Sequence, residues 1–404
     1  MQIKVQVGDF RIGDREKKAI MEVLDSGRIT EGNKVREFEQ NFAKFIGTKY
    51  CVATSSGAGA LITGLSILKY YPKLGIKEGS KAITTPLTYI ATPNSLISAG
   101  FEPIFVDVDM RRLVITPENI KKHLEEADDT SNYKIILPVH LLGYAAEMDK
   151  INKIAKDHGA VVFEDSADAT GTVYKGKKVG SWSLASAFSF YIAHNIQAGE
   201  MGAITTDDPE IMRLAKKFKA QGRMCDCPVC TRLQGTCPKQ PKGEEDIDPR
   251  FTHEIFGANF KTMEFQAALG LVNLEKADWI IQKRAENVKY LNEGLEKFSD
   301  IFEFPIYSKE ISYLAYPLVI KDSKKISRKK IRTELGNRGV ETRPLFGCVP
   351  TQQPAYKDFK AKYEGKLPNA EYLGSNAFYI GVHQFLTNED LDYVIKAFSD
   401  ILRP

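Results

Sequence analysis

The segment of this chain whose residue types best suit catalysis reads AFSFYIAHNIQAGEMG, from Ala187 to Gly202. Its apolar and aromatic beginning predicts a buried strand, which the polar pair His194 and Asn195 brings to an end. Gly199 and a second apolar run follow, so the polar pair lies on a tight connection between two strands. Because imidazole accepts and donates protons near neutral pH, His194 is a candidate acid–base group. A buried structural histidine is the competing interpretation.

A cluster of cysteines is a second group of residues whose types suit a chemical role. Four of the six cysteines fall within thirteen residues in the pattern C-x-C-x2-C-x6-C, in a stretch without helical or strand periodicity; they are Cys225, Cys227, Cys230 and Cys237. Four thiolates so close together repel one another and oxidise readily unless a metal holds them. The spacing therefore predicts a metal site. A structural zinc and an iron–sulfur cluster both satisfy four thiolates, and both remain open.

Polar and small residues also follow predicted strands at two other places. Asp165 and Asp168 come after the apolar run Ala160–Phe163. A carboxylate at the carboxyl end of a parallel strand lies where α/β proteins bind ligands. The stretch Thr54–Leu61 is rich in serine, glycine and alanine between a strand and an apolar helix, which leaves backbone N–H groups available to a phosphate.

The elements that must position these groups alternate between strand and helix, which predicts an α/β fold with a mostly parallel sheet covered on both faces. We expect a large cofactor-binding domain over residues 1–275, with an inserted cysteine loop at 223–250, and a smaller C-terminal α/β domain over 276–404. The predicted strands are Tyr50–Ala53, Lys81–Pro86, Pro103–Val108, Lys134–Val139, Ala160–Phe163, Ala187–Tyr191 and Tyr316–Ile320. The predicted helices include Asp14–Asp25 with Asp14 as its cap, one through Phe38 and Phe45 ending at Gly47, Ile280–Phe298, Ser327–Leu335 and Thr387–Phe398.

Composition narrows the class of protein. The chain has 404 residues, 43% of them hydrophobic, and 56 basic against 52 acidic residues give a net charge of +4. That charge is slight and scattered, which argues against nucleic acid as a partner. The N-terminal residues lack an apolar signal core, and no apolar run approaches the roughly 18 residues that span a membrane. We therefore expect a cytoplasmic protein without a membrane partner.

Over residues 10–401 the chain resembles the sugar aminotransferases that bind pyridoxal phosphate (PLP) on the PLP-dependent transferase fold type I. Their segment S-F-x-x-x-K-N corresponds to Ser189–Asn195, and its Schiff-base lysine is replaced here by His194. No lysine occurs between Lys178 and Lys216. An ordinary aminotransferase is therefore excluded unless a distant lysine takes over, because histidine forms no stable Schiff base. Histidine is instead suited to an enzyme that holds the cofactor as the free amine, pyridoxamine phosphate (PMP).

The resemblance implies a role for each matching residue. Gly57, Ala58 and Ser189 correspond to phosphate contacts, Tyr89 to the aromatic residue that stacks on the pyridine ring, and Asp165 to the partner of the pyridine nitrogen. Asp168 matches a second active-site position, and Tyr191 lines the same pocket. Asn259 matches an asparagine that reaches the phosphate in the partner subunit, which implies a homodimer. Arg343 borders the active site in the family, where a contact to a substrate diphosphate and an ordinary surface position are both open.

The histidine exchange and the cysteine loop together resemble the 3-dehydrases of nucleotide-linked 4-keto-6-deoxy sugars, typified by the CDP-sugar enzyme of the ascarylose pathway. These enzymes use PMP and an iron–sulfur cluster. The resemblance implies C-3 dehydration of such a nucleotide-diphosphate sugar through a PMP ketimine, with His194 as base and a 2Fe–2S or 4Fe–4S cluster relaying electrons from a reductase. One departure is Ala167, at a place where a cluster ligand is expected, so all four ligands would come from the loop.

Two alternatives remain. One is a PMP-dependent 3-dehydratase that regains its amine from glutamate and holds a structural zinc in the cysteine loop. The other is a catalytically silent fold-type-I protein that acts as a binding module. Measuring iron and zinc in the protein distinguishes the glutamate-coupled dehydratase from the reductive enzyme. Failure to bind PMP would identify the binding module.

Overall fold

The computed structural model describes residues 3–227, 231, 237–241, 243 and 246–402. The strands of the first half of the chain are β1 (Tyr50–Thr54), β2 (Lys81–Thr84), β3 (Glu102–Phe105), β4 (Tyr133–Leu137), β5 (Val161–Asp165), β6 (Val173–Tyr174), β7 (Lys177–Lys178), β8 (Ala185–Ser189) and β9 (Gly202–Thr206). Those of the second half are β10 (Phe302–Glu303), β11 (Tyr316–Ile320), β12 (Thr342–Pro344) and β13 (Ala377–Ile380).

A seven-stranded sheet in the order β1-β9-β8-β5-β4-β2-β3 forms the centre of the protein. Neighbours from β8 to β3 run parallel, and β9 is antiparallel to both β8 and β1. Every residue of β8 and β9 is buried, as expected for strands covered on both faces. The predicted mostly parallel sheet is confirmed.

Helices cover this sheet and follow its strands. The helices are α1 (Asp14–Asp25), α2 (Asn33–Ile46), α3 (Gly57–Ser66), α4 (Ala91–Ser98), α5 (Pro117–Glu126), α6 (Met148–Asp157), α7 (Pro209–Phe218), α8 (Glu264–Leu274), α9 (Ala277–Leu295), α10 (Arg328–Asn337), α11 (Val349–Gln352), α12 (Lys357–Tyr363), α13 (Pro368–Asn376) and α14 (Asn388–Leu402). Gly47 ends α2 in the left-handed conformation, with φ of 92°, as predicted. The predicted cap of α1 was wrong by one residue: Gly13 is the N-cap, and Asp14 is the first helical residue.

The second half of the chain adds a four-stranded antiparallel sheet in the order β10-β11-β13-β12. One cluster of buried apolar side chains includes Ile136 of β4, Leu291 of α9 and Leu318 of β11. Val5 near the N-terminus pairs with Val340 beside the second sheet. The division at residues 275 and 276 therefore stays a prediction, since apolar packing joins the two sheets. In the part of the chain that the structure describes, no helix is long and apolar enough to cross a membrane.

Candidate active site

The carboxyl ends of β1, β2, β5 and β8 meet at one edge of the large sheet, because these strands all run in the same direction. In open α/β sheets this edge is where ligands bind. Four stretches predicted as functional follow these strands: the glycine-rich turn, the segment with Tyr89, the two aspartates, and the segment with His194. We call the predicted functional residues of these four stretches the strand-edge site; they are Gly57, Ala58, Tyr89, Asp165, Asp168, Ser189, Tyr191 and His194.

A turn of serine and glycine residues, which we call the phosphate cradle after its predicted role, lies between β1 and α3. Ser56 caps α3, and its Oγ accepts a hydrogen bond from the Gly59 amide at 3.0 Å. The amides of Gly57 and Ala58, at the first two positions of the helix, have no intrahelical acceptor and lie at the positive end of its dipole. A Cβ placed on Gly57 would lie 2.5 Å from the Ser189 Cβ, so glycine is needed to bring Ser189 against the cradle. The three predicted phosphate contacts are therefore neighbours.

Gly202 also belongs to this cradle, although the sequence analysis assigned it no role. A Cβ on Gly202 would lie 2.2 Å from the Ser56 carbonyl oxygen and 2.8 Å from the Gly57 nitrogen. Only glycine lets the start of β9 pass this close to the cap of α3. A glycine at the start of the second apolar run, in the segment that carries the candidate base, was the available signal.

Aromatic packing fixes the end of β8 and with it Ser189. Phe188 and Phe190, on either side of this serine, are fully buried against Phe42 of α2. Their ring centroids lie 5.0 and 4.9 Å from that of Phe42, in edge-to-face geometry. Ser189 points to the opposite side of the strand from both phenylalanines because side chains alternate along a strand.

Asp165 ends β5 with its carboxylate buried. Its Oδ2 accepts a hydrogen bond from Thr92 Oγ1 at 2.8 Å, and its Oδ1 accepts one from the Ala167 amide at 3.2 Å. Burial raises the pKa of Asp165 to about 6, although these two hydrogen bonds oppose the rise. A buried carboxylate whose hydrogen-bond donors are neutral is stabilised by a cationic ligand, and a protonated pyridine nitrogen supplies one. The residue thus fits its predicted role.

His194 and Asp168 form a dyad. His194 Nε2 lies 3.2 Å from Asp168 Oδ1, and the two side chains are 15% and 13% exposed. When the histidine is neutral and Nε2 donates to this carboxylate, Nδ1 carries the free electron pair. Within the described residues, His194 Nδ1 is a buried atom without a hydrogen-bond partner. The arrangement therefore leaves Nδ1 as the nitrogen that can accept a proton.

The predicted connection between two strands holds this histidine. The His194 amide donates to the Tyr191 carbonyl at 2.8 Å, and the amide of Ala198 donates to the Phe190 carbonyl at 2.8 Å. Asn195 is buried and donates to both the carbonyl and the hydroxyl oxygen of Ser312. Backbone hydrogen bonds thus hold the start of the loop that carries His194, and the Asn195 side chain holds its middle.

A strained turn supports the other member of the dyad, and it was not identified from the sequence. The Leu142 amide donates to Asp168 Oδ2 at 3.2 Å, and Leu142 adopts a left-handed conformation with φ of 53°. This conformation costs a non-glycine residue about 1 kcal/mol or more, so the surrounding structure must enforce it. Beside it, His140 Nε2 lies 3.0 Å from Glu164 Oε2, and both side chains are completely buried. The pair fixes the turn against the end of β5.

The two predicted aromatic contacts are both accessible. Tyr89 is 63% exposed, and its ring centroid lies 5.9 Å from that of Phe346, which the sequence analysis did not select. Tyr191 is 43% exposed and meets the His194 ring edge-on at 6.2 Å. Asn259 is exposed beside its pairing partner Ala220. Its contact with a second subunit stays a prediction, as does the diphosphate contact of Arg343, which is exposed and pairs with Glu341.

Residues 223–250, which we call the cysteine segment, are held at their two ends. The amide of Met224 donates to the Thr252 carbonyl, and that of Cys225 donates to the Pro249 carbonyl. Burial, Cys225 and Asp226 raise the pKa of the Cys227 thiol, while Asp226 forms a 2.7 Å ion pair with Lys239.

The metal ligands predicted here are only partly within the described residues. Cys225, Cys227 and Cys237 are described, and none of them forms a disulfide; Cys230 lies outside the described residues. Within the described ranges, no group of three or more histidine, cysteine, aspartate or glutamate side chains is placed to hold a metal ion.

Comparison with known proteins assigns the chain to a family. The profile of the DegT/DnrJ/EryC1/StrS aminotransferase family matches residues 11–399. The chain belongs to this family. The lipopolysaccharide biosynthesis protein RfbH of Salmonella typhimurium is 32% identical over 397 residues, covering 96% of this chain and 90% of that protein. GDP-4-keto-6-deoxy-D-mannose 3-dehydratase of Escherichia coli O55:H7 is 30% identical over 384 residues, covering 94% and 96%.

Family membership is also evident in three dimensions. A solved structure of GDP-4-keto-6-deoxymannose-3-dehydratase with a trapped PLP-glutamate geminal diamine matches with a TM-score of 0.85 and 29% identity, covering 98% of this chain and 100% of that chain. The predicted PLP-dependent fold type I is confirmed, and so is membership of the family of PLP-dependent sugar-modifying enzymes. The comparisons do not extend to the CDP-sugar type or to the iron–sulfur cluster, which remain predictions.

Proposed function

We propose that this protein removes the C-3 hydroxyl group of a nucleotide-linked 4-keto-6-deoxyhexose, with PMP as cofactor and His194 as the acid–base group. The observation that carries the proposal is the dyad: a histidine occupies the position of the family's lysine, and Asp168 orients it so that Nδ1 is free. Its similarity to a 4-keto-6-deoxy-sugar 3-dehydratase supports the same reaction.

The strand-edge site has groups suited to each part of the cofactor. The amides of Gly57 and Ala58, with Ser189, would hold the phosphate, and Asp165 would hold the ring nitrogen. When bound, the cofactor supplies a ring that accepts electrons from the carbon next to it. Tyr89 has an accessible ring that can cover the pyridine face. Because no lysine lies between Lys178 and Lys216, the cofactor would be held without a covalent bond to this segment.

His194 would move the protons of the reaction. Nδ1 can take up a proton while Asp168, anchored by the Leu142 amide, stabilises the imidazolium that forms. The same proton can be delivered to the departing C-3 hydroxyl group, which then leaves as water. A lysine at this position would remain bound to the cofactor for part of the cycle, whereas the histidine stays free to act in both directions.

The overall reaction must replace a hydroxyl group by hydrogen, which takes two electrons. Glutamate can supply them: its conversion to 2-oxoglutarate and ammonia takes up one water, which offsets the water that leaves C-3. Sugar and glutamate thus give the 3-deoxy sugar, 2-oxoglutarate and ammonia. The solved structure of the related dehydratase with PLP and glutamate supports this route. On this route the cysteine segment has no part in the chemistry.

A panel assay tests the proposal. The protein would be incubated with PLP and glutamate and with GDP-, CDP- or dTDP-linked 4-keto-6-deoxyhexose, and the products identified by mass spectrometry and NMR. We expect a sugar that is one oxygen atom lighter, with hydrogen at C-3, and one 2-oxoglutarate for each sugar converted. A 4-amino sugar that retains its C-3 hydroxyl would contradict the proposal and identify an aminotransferase. The His194→Asn variant is the control for background elimination.

A second candidate is a reductive enzyme, in which the four cysteines would hold an iron–sulfur cluster that would supply one-electron transfer from an external reductase. The spacing of the four cysteines supports it. Iron, sulfide and zinc should be measured in protein purified without oxygen. Iron with sulfide, and turnover that needs a reductant but no glutamate, would favour this candidate; zinc alone would reduce the segment to a structural element.

A further inference from the structure

Three buried polar side chains form a row behind the proposed position of the pyridine ring. Thr88 Oγ1 lies 2.9 Å from Thr92 Oγ1, and Thr92 Oγ1 lies 2.8 Å from Asp165 Oδ2. None of the three side chains is more than 3% exposed. We call this row the hydroxyl relay.

Proton counting fixes the direction of the relay. An ionised carboxylate only accepts hydrogen bonds, so Thr92 must give its single hydroxyl proton to Asp165. Thr92 Oγ1 is then an acceptor towards Thr88, which must donate. A protonated Asp165 could instead donate to Thr92 and allow the relay to reverse. The row is thus ordered in one direction only while Asp165 is charged, and each hydroxyl dipole then strengthens the next.

The relay opposes the strong effect of burial on Asp165. Desolvation disfavours the charged carboxylate, and Asp168 adds a like charge nearby, whereas His140 acts in the opposite sense. The Thr92 hydroxyl is the largest of the opposing influences, and the Ala167 amide is the next. A hydrogen bond to a charged group is roughly twice as strong as one between neutral groups, enough to influence whether a buried carboxylate is ionised near neutral pH.

The hydroxyl relay also lies next to Tyr89, the residue predicted to stack on the pyridine ring. Thr88 directly precedes Tyr89 on the segment between β2 and α4. Thr92 lies in the first turn of α4, and its amide donates to the Tyr89 carbonyl at 3.2 Å. One short segment therefore carries both the proposed ring-stacking residue and the donor to the proposed partner of the ring nitrogen.

We infer that Thr92, oriented by Thr88, is a positioning residue that keeps Asp165 ionised and aimed so that it holds a bound cofactor's ring nitrogen in the protonated form. The inference rests on the proposed role of Asp165 but not on the sugar that the enzyme uses. The side-chain hydrogen bonds of Thr92 in the described structure run to Thr88 and Asp165, so its effect would be exerted through Asp165.

The test compares isosteric variants by a measurement on bound PLP. Thr92→Val removes the hydroxyl and keeps the shape, Thr92→Ser keeps the hydroxyl, and Thr88→Val removes only the outer member. Thr63→Val is the matched control, because Thr63 is buried and its hydroxyl has no partner among the described residues. The readouts are the 15N chemical shift of the pyridine nitrogen of labelled PLP over a pH series, and the PLP dissociation constant.

We expect Thr92→Val to lower the pH at which the pyridine nitrogen loses its proton and to weaken PLP binding roughly tenfold or more, as for a lost hydrogen bond to a charge. Thr88→Val should show a smaller change in the same direction, and Thr92→Ser should resemble the parent protein. If Thr92→Val and Thr63→Val give the same pyridine shift as the parent, the inference is wrong. The assay requires PLP binding and no turnover, so failure of the proposed dehydration would leave its result intact.

Discussion

The strand-edge site and the cysteine segment are the two chemically distinctive regions of this chain, and they are held in different ways. In the strand-edge site the functional side chains lie at the end of a strand of one sheet or in the connection that follows it, and neighbouring groups reach the site from α3 and from the Leu142 turn. The cysteine segment is fastened at its ends by backbone hydrogen bonds such as that from Cys225 to Pro249. The described part of the segment contains no helix or strand.

This difference shows what residue spacing can and cannot determine. In the strand-edge site, the sheet brings together residues far apart in sequence, such as Thr92 and Asp165, at hydrogen-bonding distance. In the cysteine segment the residues are close in sequence, yet the three described cysteines are not assembled with each other or with other side chains as a metal site. Proximity along the chain predicts a ligand set, but without supporting elements a metal itself must complete the geometry.

The largest effect is expected at the centre of the strand-edge site. Replacing His194 by Asn should lower kcat for dehydration by roughly 10²–10⁴-fold, the usual contribution of a general acid–base group. PLP binding, followed by its absorbance, should be nearly unchanged because the cradle and Asp165 are intact. His158→Asn is the control, since His158 is exposed and its Nδ1 lies 3.0 Å from the Ile154 carbonyl of its own helix. Dehydration at the parent rate in His194→Asn would assign the base elsewhere.

The dyad predicts a second, smaller loss. In Asp168→Asn the amide can still accept from Leu142, but its NH2 group would donate towards His194 Nε2 and favour the tautomer with the proton on Nδ1. We expect kcat to fall about 10²-fold with little change in KM, because the affected group moves protons rather than binds the sugar. A change confined to KM would indicate that Asp168 contacts the substrate instead.

Features that depend on local sequence could be predicted, whereas features that depend on contacts between distant segments could not. Strands such as Tyr316–Ile320 and helices such as Asp14–Asp25 were predicted with their observed bounds, because period and end signals are local properties. Residues at strand ends, including Asp165, were predicted as well, since parallel strands share one ligand-binding edge. The approximate register of β8 was found from its aromatic run, although the strand starts two residues earlier than predicted.

Features that depend on tertiary contact were missed. The left-handed Leu142 has no sequence signal, because leucine is not a residue expected at positive φ. The close approach of Gly202 to the cap of α3 and the contact between Thr92 and Asp165 likewise follow from packing between distant segments. These contacts leave Nδ1 of His194 without a hydrogen-bond partner among the described residues and give Asp165 a buried hydroxyl donor, and periodicity encodes neither arrangement.

The buried Asp165 carboxylate predicts an unusual pH dependence of stability in cofactor-free protein. Its pKa is raised from 3.8 to about 6 in the folded state, so the fold binds this proton more tightly than the unfolded chain does. The resulting stabilisation is present below about pH 4 and is lost as pH rises through about 6. The difference of about two pKa units corresponds to at most about 3 kcal/mol.

The Asp165→Asn variant lacks the titrating carboxylate, so it should not lose stability as the pH rises through about 6. Chemical denaturation between pH 4 and 7 should show the variant gaining stability relative to the parent as pH rises, while its PLP affinity falls. Asp157→Asn is the comparison, because Asp157 pairs with Lys153 on the surface and its pKa is lowered; its small effect should run in the opposite direction. A pH-independent difference between Asp165→Asn and the parent would show that Asp165 has an ordinary pKa.

The phosphate cradle can be tested with one methyl group. Gly202→Ala would place a Cβ 2.2 Å from the Ser56 carbonyl oxygen, so the cap of α3 or the start of β9 must move. Such overpacking costs about 1–3 kcal/mol, and we expect PLP binding to weaken by roughly fivefold to a hundredfold. In Gly336→Ala, the control, the added Cβ meets nothing within 4 Å on a helix. Equal PLP affinity in the two variants would show that the close approach of Gly202 to the cap of α3 does not affect phosphate binding.

The smallest effect is expected in the cysteine segment. Replacing both Cys225 and Cys227 by Ser removes two half-buried thiols from a segment without regular structure, and surface changes of this kind usually alter stability by no more than about 0.5 kcal/mol. The free energy of unfolding, measured by denaturant titration on metal-free protein, and the PLP affinity should both stay close to those of the parent. Metal content should fall if the segment binds a metal. A large loss of PLP affinity in this variant would contradict the separation of the two regions, since it would make the strand-edge site depend on the cysteines.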